Sequence, residues 1–261
     1  MEKQRVQIKD DTPNHNIKSA YIICTTPRSG SNLLTFTLEG QGMGRPNEYF
    51  NPNRIDINRY LQYHLQKEIP HTHDYLHNLE NLTSLQQIVQ HNRCCKHGIF
   101  GAKLFAQDIN CEEHLFQSFQ ENMLVPTKYI FLNRKDIVRQ AISFHFANET
   151  KQWHSSTKTH RQVEHVPYNY IRLKAYLMHF KIAQAFWTTQ FPVETENILI
   201  LDYADLAENF KTTIQRVNTF IGQKNIAIPV PPIQKQSDPV KELFRKRFIT
   251  ELRAEHRNSQ A

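Results

Sequence analysis

Tyr21-Ile22-Ile23-Cys24-Thr25-Thr26-Pro27-Arg28-Ser29-Gly30-Ser31-Asn32-Leu33-Leu34 constrains this chain more than any other stretch. Tyr21 to Cys24 is apolar and rich in β-formers, and it has the length of one strand inside a sheet. Pro27, Ser29 and Gly30 break that strand, and Gly30 tolerates positive φ and close approach of a ligand to the backbone. Ser31 and Asn32 are helix-starting residues, after which Leu33, Leu34 and Leu38 recur at helical spacing. A strand that feeds a helix through such a turn aims several backbone N–H groups at one spot. The helix dipole adds partial positive charge there, and Arg28 adds a full one, which suits an anion and above all a phosphate. An ordinary strand–helix turn, its hydroxyls only capping the helix, is the other reading of the same residues. A Walker A loop is not: that motif needs a second glycine followed by lysine, and neither is present here.

The rest of the chain repeats the strand–helix alternation. Ile99–Phe105, 128–132 and 197–201 read as further interior strands, and Asn133-Arg134-Lys135-Asp136 ends the third. Helical spacing is present over 54–67, from Leu85 through Val89, over 110–121, from Ile137 through Phe144, and over 168–190, 206–221 and 240–253. The His- and Asn-rich 68–83 region has no period and reads as a loop; 150–165 reads as a flexible flap, and Pro229–Pro232 as a stiff connector. Alternation of this kind predicts a three-layer α/β fold, with a mostly parallel central sheet flanked by helices. The Arg28 and Arg134 turns would then open together at the carboxyl ends of the strands, where ligands bind in such folds. Residues 1–18 form a polar N-terminal segment, and 19–261 form a single domain with no internal repeat.

Thr26 to Leu34 resembles the 5′-phosphosulfate loop of sulfotransferases. Taken with Gly44-Arg45-Pro46-Asn47-Glu48-Tyr49-Phe50, it resembles the bacterial trehalose sulfotransferase family. Asn32 stands where that family has Thr, and Asn47 where it has Gln; both replacements keep a hydrogen-bonding side chain. The likeness extends to the Ala102-Lys103-Leu104 strand, the 129–146 unit, Leu201-Asp202-Tyr203 and Gln236-Ser237-Asp238, while 54–97 and 149–167 match little. It implies a P-loop-like fold, a homodimer, and the donor 3′-phosphoadenosine 5′-phosphosulfate, with adenosine 3′,5′-bisphosphate as product and no metal.

The same resemblance assigns residues. Thr26, Pro27, Arg28, Ser29, Gly30, Ser31 and Asn32 would hold the 5′ end of the donor, and Arg134 and Ser143 its 3′-phosphate. A guanidinium grips phosphate oxygens in bidentate fashion and a hydroxyl adds a close donor; without the family, Arg134 is a basic residue at a strand end and Ser143 a small helix residue. Arg28 would also stabilise charge on the transferring sulfuryl group. Glu48 is the implied general base for a hydroxyl acceptor, a carbohydrate or another small hydroxyl-bearing molecule such as a glycolipid. Read alone, Glu48 is a solvated or capping loop residue, and Glu39, its neighbour in sequence, an exposed one. Lys103 stands on an interior strand, where a lysine needs a partner; a place beside the sulfate or acceptor and an ion pair holding the sheet are both open. Trp153 offers an aromatic face to a sugar or simply packs.

Charge and cysteines bound the remaining classes. The formal charge of +7 favours an anionic ligand. It leaves open a basic nucleic-acid module built on Lys241, Arg245, Lys246 and Arg247, although a solvated face is the plainer reading and no nucleic acid is expected. A nucleotide-dependent kinase is the alternative enzyme. His91, Cys94, Cys95 and His97 crowd together without a standard zinc spacing, and His71 and His73 read as solvated. Four scattered cysteines, no signal-peptide pattern and no apolar run near the roughly 18 residues of a membrane span predict a reduced, cytoplasmic protein.

Overall fold

The computed structural model of the protein describes residues 16–51, 54, 59–60, 62–64, 79–153, 162–224, 226–232 and 238–259. Four strands form one parallel sheet: β1 (Ser19–Thr25), β2 (Ile99–Phe105), β3 (Thr127–Asn133) and β4 (Ile198–Asp202), in the order β2-β1-β3-β4. β1 is central, with Ile23 opposite Lys103 on one side and Ile130 on the other. Alternate residues of β1 feed opposite layers, as the period of a strand requires. Ala20, Ile22 and Cys24 join a core with Leu82, Leu85 and Val89 of α2 (Leu79–Arg93), Phe116 and Phe119 of α3 (Glu113–Glu121), and Trp187. Tyr21 and Ile23 join the opposite core with Leu34 and Leu38 of α1 (Ser31–Gly40) and with Ile214 and Val217. The sheet is therefore covered on both faces, which is the three-layer α/β arrangement the strand–helix alternation predicts.

A third apolar cluster packs α4 (Ile137–Thr150), α5 (Tyr170–Gln190) and a C-terminal helix (Pro239–Asn258) against each other beside the sheet. Within it, Phe146, Phe180 and Phe248 are buried. Between β4 and that helix lie α6 (Tyr203–Glu208) and α7 (Phe210–Phe220); the C-terminal helix is α8. Among the described residues, no helix is long and apolar enough to cross a membrane.

Several local expectations are corrected. Gly30, in the left-handed region at φ 86°, is the N-cap of α1, and no side chain caps it; Ser31 is already helical. Residues 79–83 are helix rather than loop, because Leu82, Leu85 and Val89 share one buried face despite the polar residues between them. The helix read as 206–221 is two, since Asp202 Oδ1 caps α6 at the Ala204 N–H and the chain bends at Asn209. The helix read over 110–121 starts only at Glu113, because Asn110 and Cys111 both have positive φ after a 3-10 turn, Ala106–Ile109. Glu39 is half-buried rather than exposed, and burial lifts its carboxyl above the ordinary value against the pull of Arg45 and Arg93. Most of the 54–67 helix, the 68–78 loop with His71 and His73, most of the 150–165 flap, Gln236-Ser237 and the first fifteen residues lie outside the described residues.

Candidate active site

The turn after β1 is fixed from behind by side chains of three elements. Trp187 Nε1 of α5 donates to the Thr25 carbonyl at 2.8 Å. Gln140 Nε2 of α4 donates to Thr26 Oγ1 at 2.7 Å and to the Pro27 carbonyl at 2.6 Å. The Thr25 hydroxyl donates to the Leu132 carbonyl of β3 at 2.7 Å, which leaves its oxygen to accept from the Ser29 hydroxyl at 2.6 Å. Held this way, Arg28 takes φ 64° and Gly30 φ 86°. A side chain at Gly30 would collide with the Tyr203 ring, so glycine is required by space as well as by conformation. Among the described residues, the backbone N–H groups of Ser29, Gly30, Ser31 and Asn32 have no acceptor. Four free donors at a helix N-terminus make an anion cradle.

Beside this cradle stand two arginines. Arg28 Nε donates to Ser143 Oγ at 3.0 Å, and its Nη1 donates to the Trp153 carbonyl. Arg134 Nη1 donates to the Arg28 carbonyl at 2.6 Å, and its guanidinium lies 4.7 Å from the centre of the Tyr203 ring. Neither guanidinium has a carboxylate partner among the described residues, and Arg134 Nε is buried with no partner. Burial, and then the neighbouring charge of Arg134, lower Arg28 to about 10. Burial also lowers Arg134, with Tyr203 and Asp136 acting against it. Two partly desolvated like charges are costly until an anion joins them.

The carboxylate of the site is Glu48, on an irregular segment anchored by its buried neighbours Tyr49 and Phe50. The Asn47 carbonyl accepts from the Lys103 N–H at 2.9 Å, so this segment hydrogen-bonds to β2. Lys103 Nζ sits 2.7 Å from Glu48 Oε1 and donates to Asn32 Oδ1 at 2.8 Å. Asn51 Nδ2 donates to Glu48 Oε2 at 3.0 Å, and Arg54 Nη1 lies 3.7 Å from the same oxygen. Burial pushes the Glu48 carboxyl up, but the charge and hydrogen bond of Lys103, then Arg54 and Asn51, outweigh it and hold the group below its ordinary value. Lys103, 3 % exposed, is thus both the partner that a buried lysine needs and a link from Glu48 to the first turn of α1.

The structure brings the residues singled out in the sequence to one edge of the sheet, in two groups. Thr26, Pro27, Arg28, Ser29, Gly30 and Ser31 form the cradle, joined by Arg134 and Ser143. Glu48 and Lys103 form the second group, and the Asn32 side chain turns to them while its N–H stays with the cradle. Trp153 is joined to the first group: its carbonyl accepts from Arg28, its ring stands edge-on to Phe144 at 5.8 Å, and it remains 39 % exposed. Gln140 and Tyr203 were not assigned roles from the sequence. Tyr203 follows Asp202 at the carboxyl end of β4, the same edge on which Arg28 and Arg134 lie, and that position was the available signal. Among the described residues, no three His, Cys, Asp or Glu side chains are grouped to hold a metal.

Known proteins resemble this chain over most of its length. A family model described as Stf0 sulphotransferase matches residues 20–251. A curated protein, trehalose 2-sulfotransferase of Mycolicibacterium smegmatis, is 22% identical over 252 residues, which are 88% of this chain and 94% of that one. Among solved structures, the sulfotransferase domain of the Synechococcus PCC 7002 olefin synthase superposes with TM-score 0.49 at 17% identity, covering 89% of this chain and 82% of that chain. A sulfotransferase from Alicyclobacillus acidocaldarius gives TM-score 0.49 at 13% identity, covering 89% of this chain and 92% of that chain.

Proposed function

The chain belongs to the Stf0 sulphotransferase family and is a sulfotransferase; from that premise we propose that it moves the sulfuryl group of 3′-phosphoadenosine 5′-phosphosulfate to a hydroxyl of a carbohydrate or a similar small acceptor. The observation that carries the donor assignment is the pair of guanidiniums without carboxylates beside an open N–H cradle. A nucleotide phosphorylated at both ends supplies an anion for each. The N–H groups of Ser29 to Asn32 take the 5′-phosphate, and Arg134 with the Ser143 hydroxyl takes the 3′-phosphate. Tyr203 keeps the Arg134 plane in place. In this reading one domain, 19–261, carries the whole site.

The reaction then needs a base and a counter-charge. Glu48, ionised because Lys103 holds it so, accepts the proton of the acceptor hydroxyl. The hydroxyl oxygen attacks sulfur in line, the new S–O bond forms, the bond from sulfur to the 5′-phosphate oxygen breaks, and adenosine 3′,5′-bisphosphate leaves. Arg28 stands between the two phosphate sites. It gives up one of its present partners, Ser143 or the Trp153 carbonyl, to reach charge growing on the sulfuryl and bridging oxygens. The exposed Trp153 ring offers a face for a sugar. The name of the Mycolicibacterium relative makes trehalose the first acceptor to try. Four free cysteines suit a reducing compartment, and the cytoplasm is the place we assign to the reaction.

The test is transfer of radiolabelled sulfur from the donor to a panel of sugars, alcohols and amines, with trehalose among them. Label on a hydroxyl acceptor, with one bisphosphate released per sulfate, is the expected result. Label confined to amines would overturn the acceptor class, and no transfer from this donor would overturn the donor.

A further inference from the structure

The scheme above leaves unused a second carboxyl group beside Glu48. β2 ends at Phe105, and the 3-10 turn that follows carries Asp108, 3 % exposed, as little as Lys103. Asp108 Oδ2 accepts the Phe105 N–H at 3.0 Å, and among the described residues the other oxygen has no partner. Lys103 and Phe105 lie on one face of β2, with Lys103 Nζ 5.2 Å from the centre of the Phe105 ring, so Asp108 stands at the same end of the strand as the Lys103–Glu48 pair. Burial pushes the Asp108 carboxyl well above its ordinary range; the Phe105 N–H acts against this, the charge of Glu48 adds to it, and Lys103 opposes it. Two carboxyl groups near one lysine are therefore shifted in opposite directions, Glu48 down and Asp108 up, a division that marks different roles in a site. Capping the turn does not account for a carboxyl here. Asn would accept the same N–H without the cost of burying an acid.

We propose that Asp108 is an acceptor-binding residue whose unpartnered oxygen hydrogen-bonds the hydroxyl adjacent to the one that Glu48 deprotonates, so that the acceptor is a carbohydrate bearing vicinal hydroxyls. This deepens the sulfotransferase reading and rests on it. A neutral carboxyl group both donates and accepts, as a hydroxyl does, and the two match without bringing a second negative charge toward the sulfuryl group.

The probes are hexoses and hexose disaccharides, trehalose included, each beside its monodeoxy analogues, with the Asp108→Ser and Asp108→Asn variants. Asp108→Ser, which withdraws the group, should raise the acceptor KM roughly ten-fold, the scale of one lost hydrogen bond in a buried site, with bisphosphate affinity unchanged. Asp108→Asn keeps the cap and a donor, and should recover most of that loss. The analogue lacking the adjacent hydroxyl should show the raised KM already in wild type and no further rise in Asp108→Ser. As pH rises and Asp108 ionises, the wild-type acceptor KM should climb, while that of Asp108→Asn stays flat. An unchanged KM in Asp108→Ser, or the same climb in Asp108→Asn, would reduce Asp108 to a capping residue and leave the sulfotransferase reading standing. A wild-type enzyme that binds the bisphosphate but sulfates no sugar overturns the carbohydrate class and this inference together.

Discussion

Arg28 and Arg134 stand at the carboxyl edge of the sheet with no carboxylate partner among the described residues, while on the same edge Lys103 is matched by Glu48 at 2.7 Å. Both groups are built from charged side chains drawn partly or wholly out of water, but only the second holds a carboxylate among its cations. The arginine group is held in shape by neutral partners, namely the Ser143 hydroxyl, two backbone carbonyls and the Tyr203 ring. None of these cancels its charge, so the compensating charge has to come from outside, and the group reads as a binding site for an anion. In the Glu48 group the lysine charge holds a partly buried carboxyl below its ordinary value. In the reaction we propose, that group offers a base to a hydroxyl. Affinity for the nucleotide should therefore live in the first group and the chemical step in the second.

Substitution at Glu48 tests that division most severely. Glu48→Gln keeps size and hydrogen bonding but takes up no proton. Single-turnover transfer should fall by a factor of about 100 to 10,000, with bisphosphate affinity near wild type. Near-normal transfer would remove Glu48 as the base. Arg134→Ala should do the reverse, weakening adenosine 3′,5′-bisphosphate by about 2–5 kcal/mol, the range for losing one partner of a buried charge contact. Adenosine 5′-phosphosulfate, which lacks the 3′-phosphate, should be nearly insensitive to it. Equal weakening of both nucleotides would take Arg134 out of the 3′-phosphate site.

The smallest effect sharpens the comparison through pH. As the proposed base, Glu48 would act only when ionised, so the rate should fall as pH drops through its pKa. Because that pKa is lowered from the ordinary 4.5, the acid limb of the wild-type profile should lie below that value. Lys103→Met removes the largest lowering influence and leaves burial, which raises the carboxyl, so the limb should move to higher pH. A limb that stays in place would mean that Lys103 does not hold the charge state of Glu48.

The two groups were unequally legible in the sequence. The cradle shows itself locally, since an apolar strand, Pro27, Gly30 and a helix lie in one continuous run, and backbone geometry does the rest. Arg134 shows itself in the same way at the end of β3. That Ser143 meets Arg28 was not legible at all: the resemblance sets Ser143 beside Arg134, and the two residues that meet are 115 apart with nothing local to mark it. Lys103 announces that it needs a partner without saying which, and the answer comes from the segment around Asn47 hydrogen-bonding to β2. Tyr203 and Gln140 fall within matched stretches that give them no role; their roles exist only once β4 and α4 are placed beside the turn. The helix read as 206–221 divides where a side chain outside the apolar pattern decides it: Asp202 caps α6.

The central claim is that the unpaired arginines and the open N–H groups form a site for a nucleotide phosphorylated at both its 3′ and 5′ ends. Calorimetric titration of the unmodified protein with adenosine 3′,5′-bisphosphate and, separately, with ADP tests it directly, because the two ligands share the adenosine and differ in where the second phosphate is attached. Saturable binding of the bisphosphate, tighter than that of ADP, is the result predicted; ADP binding as tightly as the bisphosphate, or binding alone, would contradict it.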